Sequence, residues 1–266
     1  KLTVQSNFRL GSSFSIICAF RAAICYHMKM IEKGIDMKAI GFDLDDTLYN
    51  RLTIYEETYR DMQATDHHLD VDFETFNQVY AEFSEQEYQA FMAGKKTEAA
   101  FKNDRVIETY AHFGHEIDQA TAIKFNQLKN HYQEQLSLSE DLVALMEAAL
   151  SKGMTLFVLT NGTTEAQIDK LTNLGVDQLI DRDKWYISES MGGSKPLRKV
   201  FDAIAADLNV APQEILFVGD DYQNDIEGAI QAGWQALHYS KIEVPNTVAT
   251  CTTDDFLEMR TLLKNL

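Results

Sequence analysis

The stretch MKAIGFDLDDTLYN, residues 37–50, runs from a short apolar segment straight into three carboxylates, Asp43, Asp45 and Asp46. A short apolar run bounded by turn signals reads as a strand buried on both faces, the kind from which parallel sheets are built. Like charges this close repel strongly in a partly dry site, so they need either solvent or a neutralising ion. A metal ion meets that need. A solvated turn after the strand meets it equally, because Asp is common in turns, and the segment alone leaves both readings open.

Two further apolar runs end in the same way: MTLFVL leads into Thr160, and EILFVG leads into Asp220. From residue 139 onward strands alternate with helices. SEDLVALMEAALSKG reads as a helix with acids in its first turn and a Gly stop, TEAQIDKLTNLG as a helix and WYIS as a strand. PLRKVFDAIAADLN reads as a helix opened by Pro196, NDIEGAIQAG as a helix and QALHYS as a strand. This alternation predicts a doubly wound, Rossmann-like α/β core with a parallel sheet. Ligands bind outside the carboxyl ends of such strands, so Asp43, Thr160 and Asp220 are expected to converge.

Residues 53–137 have a different period. Ile54, Tyr55, Tyr59 and Met62, then Phe73, Phe76, Tyr80, Phe83 and Phe91, then Phe101, Ile107, Tyr110 and Phe113, then Phe125, Leu128, Tyr132 and Leu136 form four helical blocks. Gly94 and Gly114 punctuate them, and Thr97 and Asp118 are placed to cap. The aromatic stripes recur every three to four residues and read as core. A four-helix insertion at 53–137 is therefore expected to interrupt an α/β core made of 37–52 and 138–266.

The net charge of −17 on 266 residues argues against nucleic acid polymers and anionic membranes as partners. An anionic substrate then requires a local positive centre. Residues 1–36 hold five of the 24 basic residues but only two of the 41 acids. Their apolar part, SFSIICAFRAAICYHM, is broken by Arg21 and is too short to span a bilayer. The segment reads as an extension outside the catalytic unit, with a packed amphipathic helix as the alternative. Cys18, Cys25 and Cys251 include no CxxC pair, which points away from a disulfide framework or zinc and towards a reducing, cytoplasmic setting. Oligomeric state is not legible.

Four motifs occur in order. Asp43, Asp45 and Thr47 form DxDxT, Thr160 lies in LTNG, Lys195 in GGSKP, and Asp220 and Asp225 in GDDYQND. With these the chain resembles the haloacid dehalogenase superfamily from Met37 to about Tyr239, and the helical insertion is similar to that family's α-helical cap. VLTNGTTEAQIDKL and YISES are similar to its nucleotidase-like and phosphoglycolate-phosphatase-like branch. The resemblance implies that Asp43 is a nucleophile forming an aspartyl-phosphate and that Asp45 gives and takes the protons. Spacing agrees, since in extended backbone Asp43 and Asp45 face one side while Leu44 turns to the core. The resemblance further implies Mg²⁺ held by Asp43, the backbone carbonyl of Asp45 and Asp220. Thr160 and Lys195 would bind the phosphoryl group with the backbone N–H groups of Asn161 and Gly162, and Thr47 and Asp225 would stand behind them. Lys195 becomes the required positive centre.

The implied activity is a Mg²⁺-dependent phosphatase of a small soluble phosphate ester, a nucleoside monophosphate or a sugar or organic phosphate. A phosphomutase and a non-catalytic phosphate-binding scaffold are the alternatives. Asp45 argues against a dehalogenase, which lacks an acid at that place, and against a phosphonatase. Asp46 and Asp221 read as turn or cap residues. KPLR departs from the family's usual KPDP at a helix cap. His67 and His68, and His112 and His115, read as loop and helix-end residues, and Lys95 and Lys96 as a solvated loop. Tyr49 to Arg51 follow the catalytic loop and are candidates for its entrance.

Overall fold

The computed structural model describes residues 36–260 except Glu243, Asn246 and Glu258; the expected extension, with Cys18 and Cys25, lies outside them. The described chain divides into a helical unit, Asn50–Leu136, and an α/β unit formed by the residues on either side.

The apolar runs form the sheet: β1 (Ala39–Phe42), β2 (Thr155–Thr160), β3 (Trp185–Ile187), β4 (Ile215–Gly219), β5 (Gln235–Tyr239) and β6 (Cys251–Thr253). All pair in parallel in the order β3-β2-β1-β4-β5-β6. Ala39, Phe157, Leu159, Ile215, Phe217 and Trp234 share one core cluster. The alternate positions Ile40, Phe42, Leu156, Val158, Leu216 and Val218 are buried as well, so both faces of the sheet are covered. This is the doubly wound, Rossmann-like α/β fold that the sequence predicts. The chain steps outward from β1 to β2 and β3, then crosses back to β4 on the other side of β1. The order therefore reverses between β1 and β4, which opens a crevice at their carboxyl ends.

Helices connect the strands: α5 (Glu140–Ser151), α6 (Thr164–Asn173), α7 (Ser188–Met191), α8 (Arg198–Leu208) and α9 (Gly228–Gln231). Ser139 caps α5 by accepting from the Leu142 N–H, and Gly153 follows with φ 77°. Two expectations need correction, and one strand was not foreseen. First, α8 begins at Arg198 and not at Pro196; Leu197 is its N-cap and makes no side-chain cap hydrogen bond, as the KPLR departure suggests. Second, NDIEGAIQAG is not one α-helix, since Tyr222–Glu227 forms a wider π-helical segment before α9. That strand is β6, which no apolar run announces. It exists through its pairing with β5.

The helical unit holds α1 (Arg51–Gln63), α2 (Phe73–Met92), α3 (Glu98–His112) and α4 (Gln119–Glu134). Asn50, Asp72, Thr97 and Asp118 each cap a helix with a side-chain oxygen, and Gly94 and Gly114 take the positive φ needed to leave one. The aromatic stripes do pack as core: Tyr59, Phe76, Tyr80, Tyr110 and Phe125 share one cluster. No helix among the described residues is long and apolar enough to cross a membrane.

Candidate active site

The carboxyl ends of β1 and β4 place the acids. Asp43 directly follows β1, and its N–H still donates to Val218 O at 2.8 Å, so the sheet fixes its backbone. Leu44 is fully buried while Asp45 is half-buried, the alternation expected of extended chain. Asp46 then takes φ 62°, the left-handed conformation that turns the chain toward α1. Asp220 follows β4, and its carboxylate accepts from the Thr47 hydroxyl at 3.3 Å. His238 Nε2 donates to the Asp220 carbonyl at 3.0 Å.

At the centre lies a buried ion triad. Lys195 Nζ stands 2.5 Å from Asp43 Oδ1 and 2.6 Å from Asp225 Oδ1, with 4% of the lysine exposed. Asp225, expected to stand behind the ligands, is ion-paired with Lys195, and its other oxygen accepts from the Asp221 N–H at 3.0 Å. Asp221 itself caps the π-helical segment, accepting from the N–H groups of Gln223 and Asn224. Gly219 is required here, because a Cβ at that position would overlap the Asp225 carboxyl. Gly219→Ala is expected to cost about 1–3 kcal/mol through overpacking and to lower kcat by displacing Asp225 from Lys195. A melting curve and a rate assay check both.

The Asn161 side chain holds the lysine loop. Its Oδ1 accepts from Lys195 N at 2.9 Å and its Nδ2 donates to Lys195 O at 3.1 Å. The Gly162 N–H, expected to serve a phosphoryl group, donates to Ser188 Oγ at 2.9 Å. Thr160 ends β2 with 1% of its surface exposed. Lys96 is paired with Glu87 and Asp104, and His67 Nδ1 lies 3.3 Å from His115 Nε2.

The electrostatics are lopsided. Asp43, Asp220 and Asp225 bring carboxylate oxygens within 4.8 Å of one another, and the Lys195 ammonium pairs with two of the three. Burial lifts Asp43 to about 7, with repulsion from Asp225 and Asp45 adding and Lys195 opposing. Burial and repulsion from Asp43 and Asp46 lift Asp220 to about 6. Burial draws the Lys195 ammonium down, but Asp225 and Asp43 outweigh it and leave its pKa raised. Carboxylates that resist ionisation against each other, with hard oxygen donors, fit a divalent cation such as Mg²⁺.

One contact was not foreseen. Lys170, in the last turn of α6, places Nζ 2.7 Å from both oxygens of Asp45, and the Tyr49 hydroxyl donates to the same carboxylate. Nothing in the sequence marks this lysine, since a cation in the last turn of a helix is what the helix dipole favours anyway.

The sequence pattern of the haloacid dehalogenase-like hydrolases matches residues 37–233. A glyceraldehyde 3-phosphate phosphatase of Methanopyrus kandleri is 28% identical over 202 residues, which cover 74% of this chain and 81% of that one. The pyrimidine 5′-nucleotidase PynA of Streptococcus pneumoniae is 24% identical over 237 residues, covering 85% and 93%. Among solved structures, the HAD-hydrolase YfnB of Bacillus subtilis, bound to magnesium, aligns over 86% of this chain and 99% of its own with TM-score 0.64 and 22% identity, a likeness of fold.

Proposed function

The chain belongs to the haloacid dehalogenase-like hydrolase family, and from that premise we propose a Mg²⁺-dependent phosphomonoesterase that works through an aspartyl-phosphate on Asp43. It is a phosphoric monoester hydrolase, as its relatives' names indicate. The observation that carries the finer reading is the buried Asp43–Lys195–Asp225 triad beside Asp220. An excess of carboxylates over one ammonium at a topological switch point suits a site that takes a cation together with a phosphoryl anion.

Asp43, Asp220 and the backbone carbonyl of Asp45 would hold Mg²⁺, which when bound supplies Lewis-acid charge neutralisation on the phosphoryl oxygens. Lys195 and Thr160 bind those oxygens. Asp43 attacks phosphorus as the ester P–O bond breaks; the bond's electron pair goes to the leaving oxygen, which takes a proton from the Asp45 carboxyl. Asp45, now a carboxylate, takes a proton from the water that attacks the phosphoryl group on Asp43, releasing phosphate and restoring both acids. Substrate choice is assigned to the helical insertion, acting as a cap. Nucleoside 5′-monophosphates are the first class to test, followed by sugar and triose phosphates, because a nucleotidase and sugar-phosphate phosphatases both stand among the relatives.

The test is a panel of phosphate esters with and without Mg²⁺. Turnover to free phosphate that EDTA abolishes supports the reading. Absence of turnover across the panel favours a phosphate-binding scaffold, and retention of the phosphoryl group on a sugar indicates a mutase.

Metal binding also predicts a pH signature. Asp43 and Asp220 titrate in the folded protein near 7 and 6, above the roughly 3.9 of an unfolded Asp. The folded protein then holds protons that the unfolded chain has released, so the metal-free protein loses stability as pH rises between those values. A bound cation offsets that loss but competes with protons lower down. Millimolar Mg²⁺ is expected to raise Tm more at about pH 8 than at about pH 5.5. Equal shifts in thermal melts at both pH values would remove Asp43 and Asp220 as the ligands.

A further inference from the structure

We propose that Lys170 is a positioning residue for the proton-transferring carboxylate Asp45, an inference that rests on the acid/base reading of Asp45 above. The two residues are 125 positions apart in sequence, so no local helix geometry imposes their contact. Lys170 Nζ sits 2.7 Å from each oxygen of Asp45, with 15% and 22% of the two side chains exposed. Equal distances to both oxygens fix the carboxylate's rotation as well as its location. Tyr49 approaches Oδ1 from the chain's own turn, four residues on. Asp45 is thus held from two directions, by the end of α6 and by the start of the chain segment that leads to α1.

Orientation matters at this carboxylate because its task is directional. A proton must reach the bridging ester oxygen as the P–O bond breaks, and misplacement by an ångström is costly in such steps. Lys195 cannot supply this control, since its ammonium is engaged by Asp43 and Asp225. Lys170 brings an ammonium to Asp45, as Lys195 brings one to Asp43.

A leaving-group experiment separates this role from folding and from substrate binding. p-Nitrophenolate departs without needing a proton, whereas an alkoxide requires one. kcat/KM is measured for p-nitrophenyl phosphate and for the best alkyl phosphate of the panel, in the parent, Lys170→Met, Lys170→Arg, Asp45→Asn and the Lys170→Met/Asp45→Asn double variant. The expected result is that Lys170→Met lowers the alkyl-to-nitrophenyl ratio by about tenfold or more, in the range of a displaced general acid. Lys170→Arg restores part of it, and Lys170→Met has no further effect on the ratio once Asp45 is Asn. An equal loss on both esters, or a rise in KM alone, overturns the inference, the first as a structural role and the second as direct substrate binding. A ratio that still falls in the double variant overturns it too. If Asp45→Asn itself leaves the ratio untouched, the acid/base reading fails and this inference with it.

Discussion

Asp43→Asn is expected to lower kcat by at least about a thousandfold while leaving the protein as stable as the parent or more so. An amide matches the carboxylate in shape and can still accept from Lys195 Nζ, but it cannot attack phosphorus. The stability half of the expectation follows from charge. Asp43 is buried beside Asp225 and Asp45, and its carboxyl is lifted to about 7. In the metal-free parent above that pH the folded state carries a carboxylate that burial and its neighbours disfavour. Asn carries none, so the variant's Tm in EDTA should equal or exceed the parent's, and the gain should shrink as pH falls from about 7 and vanish below about 3.9, where Asp is protonated in both states. With one candidate ligand gone, the Tm shift on adding Mg²⁺ should shrink. Single-turnover assays and paired melts check these points. Appreciable residual hydrolysis by this variant would sink the covalent mechanism, and a lower Tm in EDTA would show that the carboxylate stabilises the fold and not the reverse.

The parts of this architecture that were legible in the sequence share one property: they are dictated locally or by burial on both faces. β1, β2 and β4 stand out as apolar runs because parallel strands at the sheet centre meet no water, and their polar ends mark one edge of the sheet. Thr97 and Asp118 could be read as caps because an N-cap side chain bonds to an N–H only three residues away. The misses share the opposite property. β6 is a three-residue strand, Cys-Thr-Thr, at the sheet edge, and its existence depends on pairing with β5 rather than on its own pattern. The widening of Tyr222–Glu227 is invisible to helical periodicity, which tolerates one extra residue in a turn; there Asp225 is drawn inward to Lys195 by a contact thirty residues back in sequence. Asn161 is expected to serve through its backbone N–H; the clasp that its side-chain amide makes on the Lys195 backbone is a tertiary contact that no local pattern carries. Lys170 had no signal at all, because its partner is decided by where α6 ends.

Lys195→Met is the substitution expected to damage both stability and catalysis. Met nearly matches the lysine in length and can rest on the Phe217 ring, over which Lys195 Nζ lies at 5.3 Å, so packing is largely kept and charge is what changes. Removing the ammonium leaves Asp43 and Asp225 buried with no counter-ion from the triad, and breaking a buried pair from one side costs about 3–5 kcal/mol. The loss has a definite pH dependence. Asp43 already titrates near 7 with Lys195 opposing the rise, and without that opposition its folded pKa moves further up. An acid whose folded pKa lies above its unfolded value near 3.9 destabilises the fold progressively as pH rises between the two, and does nothing below both. The gap in stability between Lys195→Met and the parent should therefore be widest near pH 8 and narrow toward about pH 5, measured by denaturant melts. Catalysis should fall by about a hundred- to a thousandfold, the scale for losing one preorganised charge at a reacting centre, and lowering the pH should not restore it, because a protonated Asp43 is no nucleophile. Stability and rate would then respond to pH in opposite directions. If instead both recover together at low pH, Lys195 serves only to neutralise the buried acids, and the phosphoryl oxygens are bound by other groups.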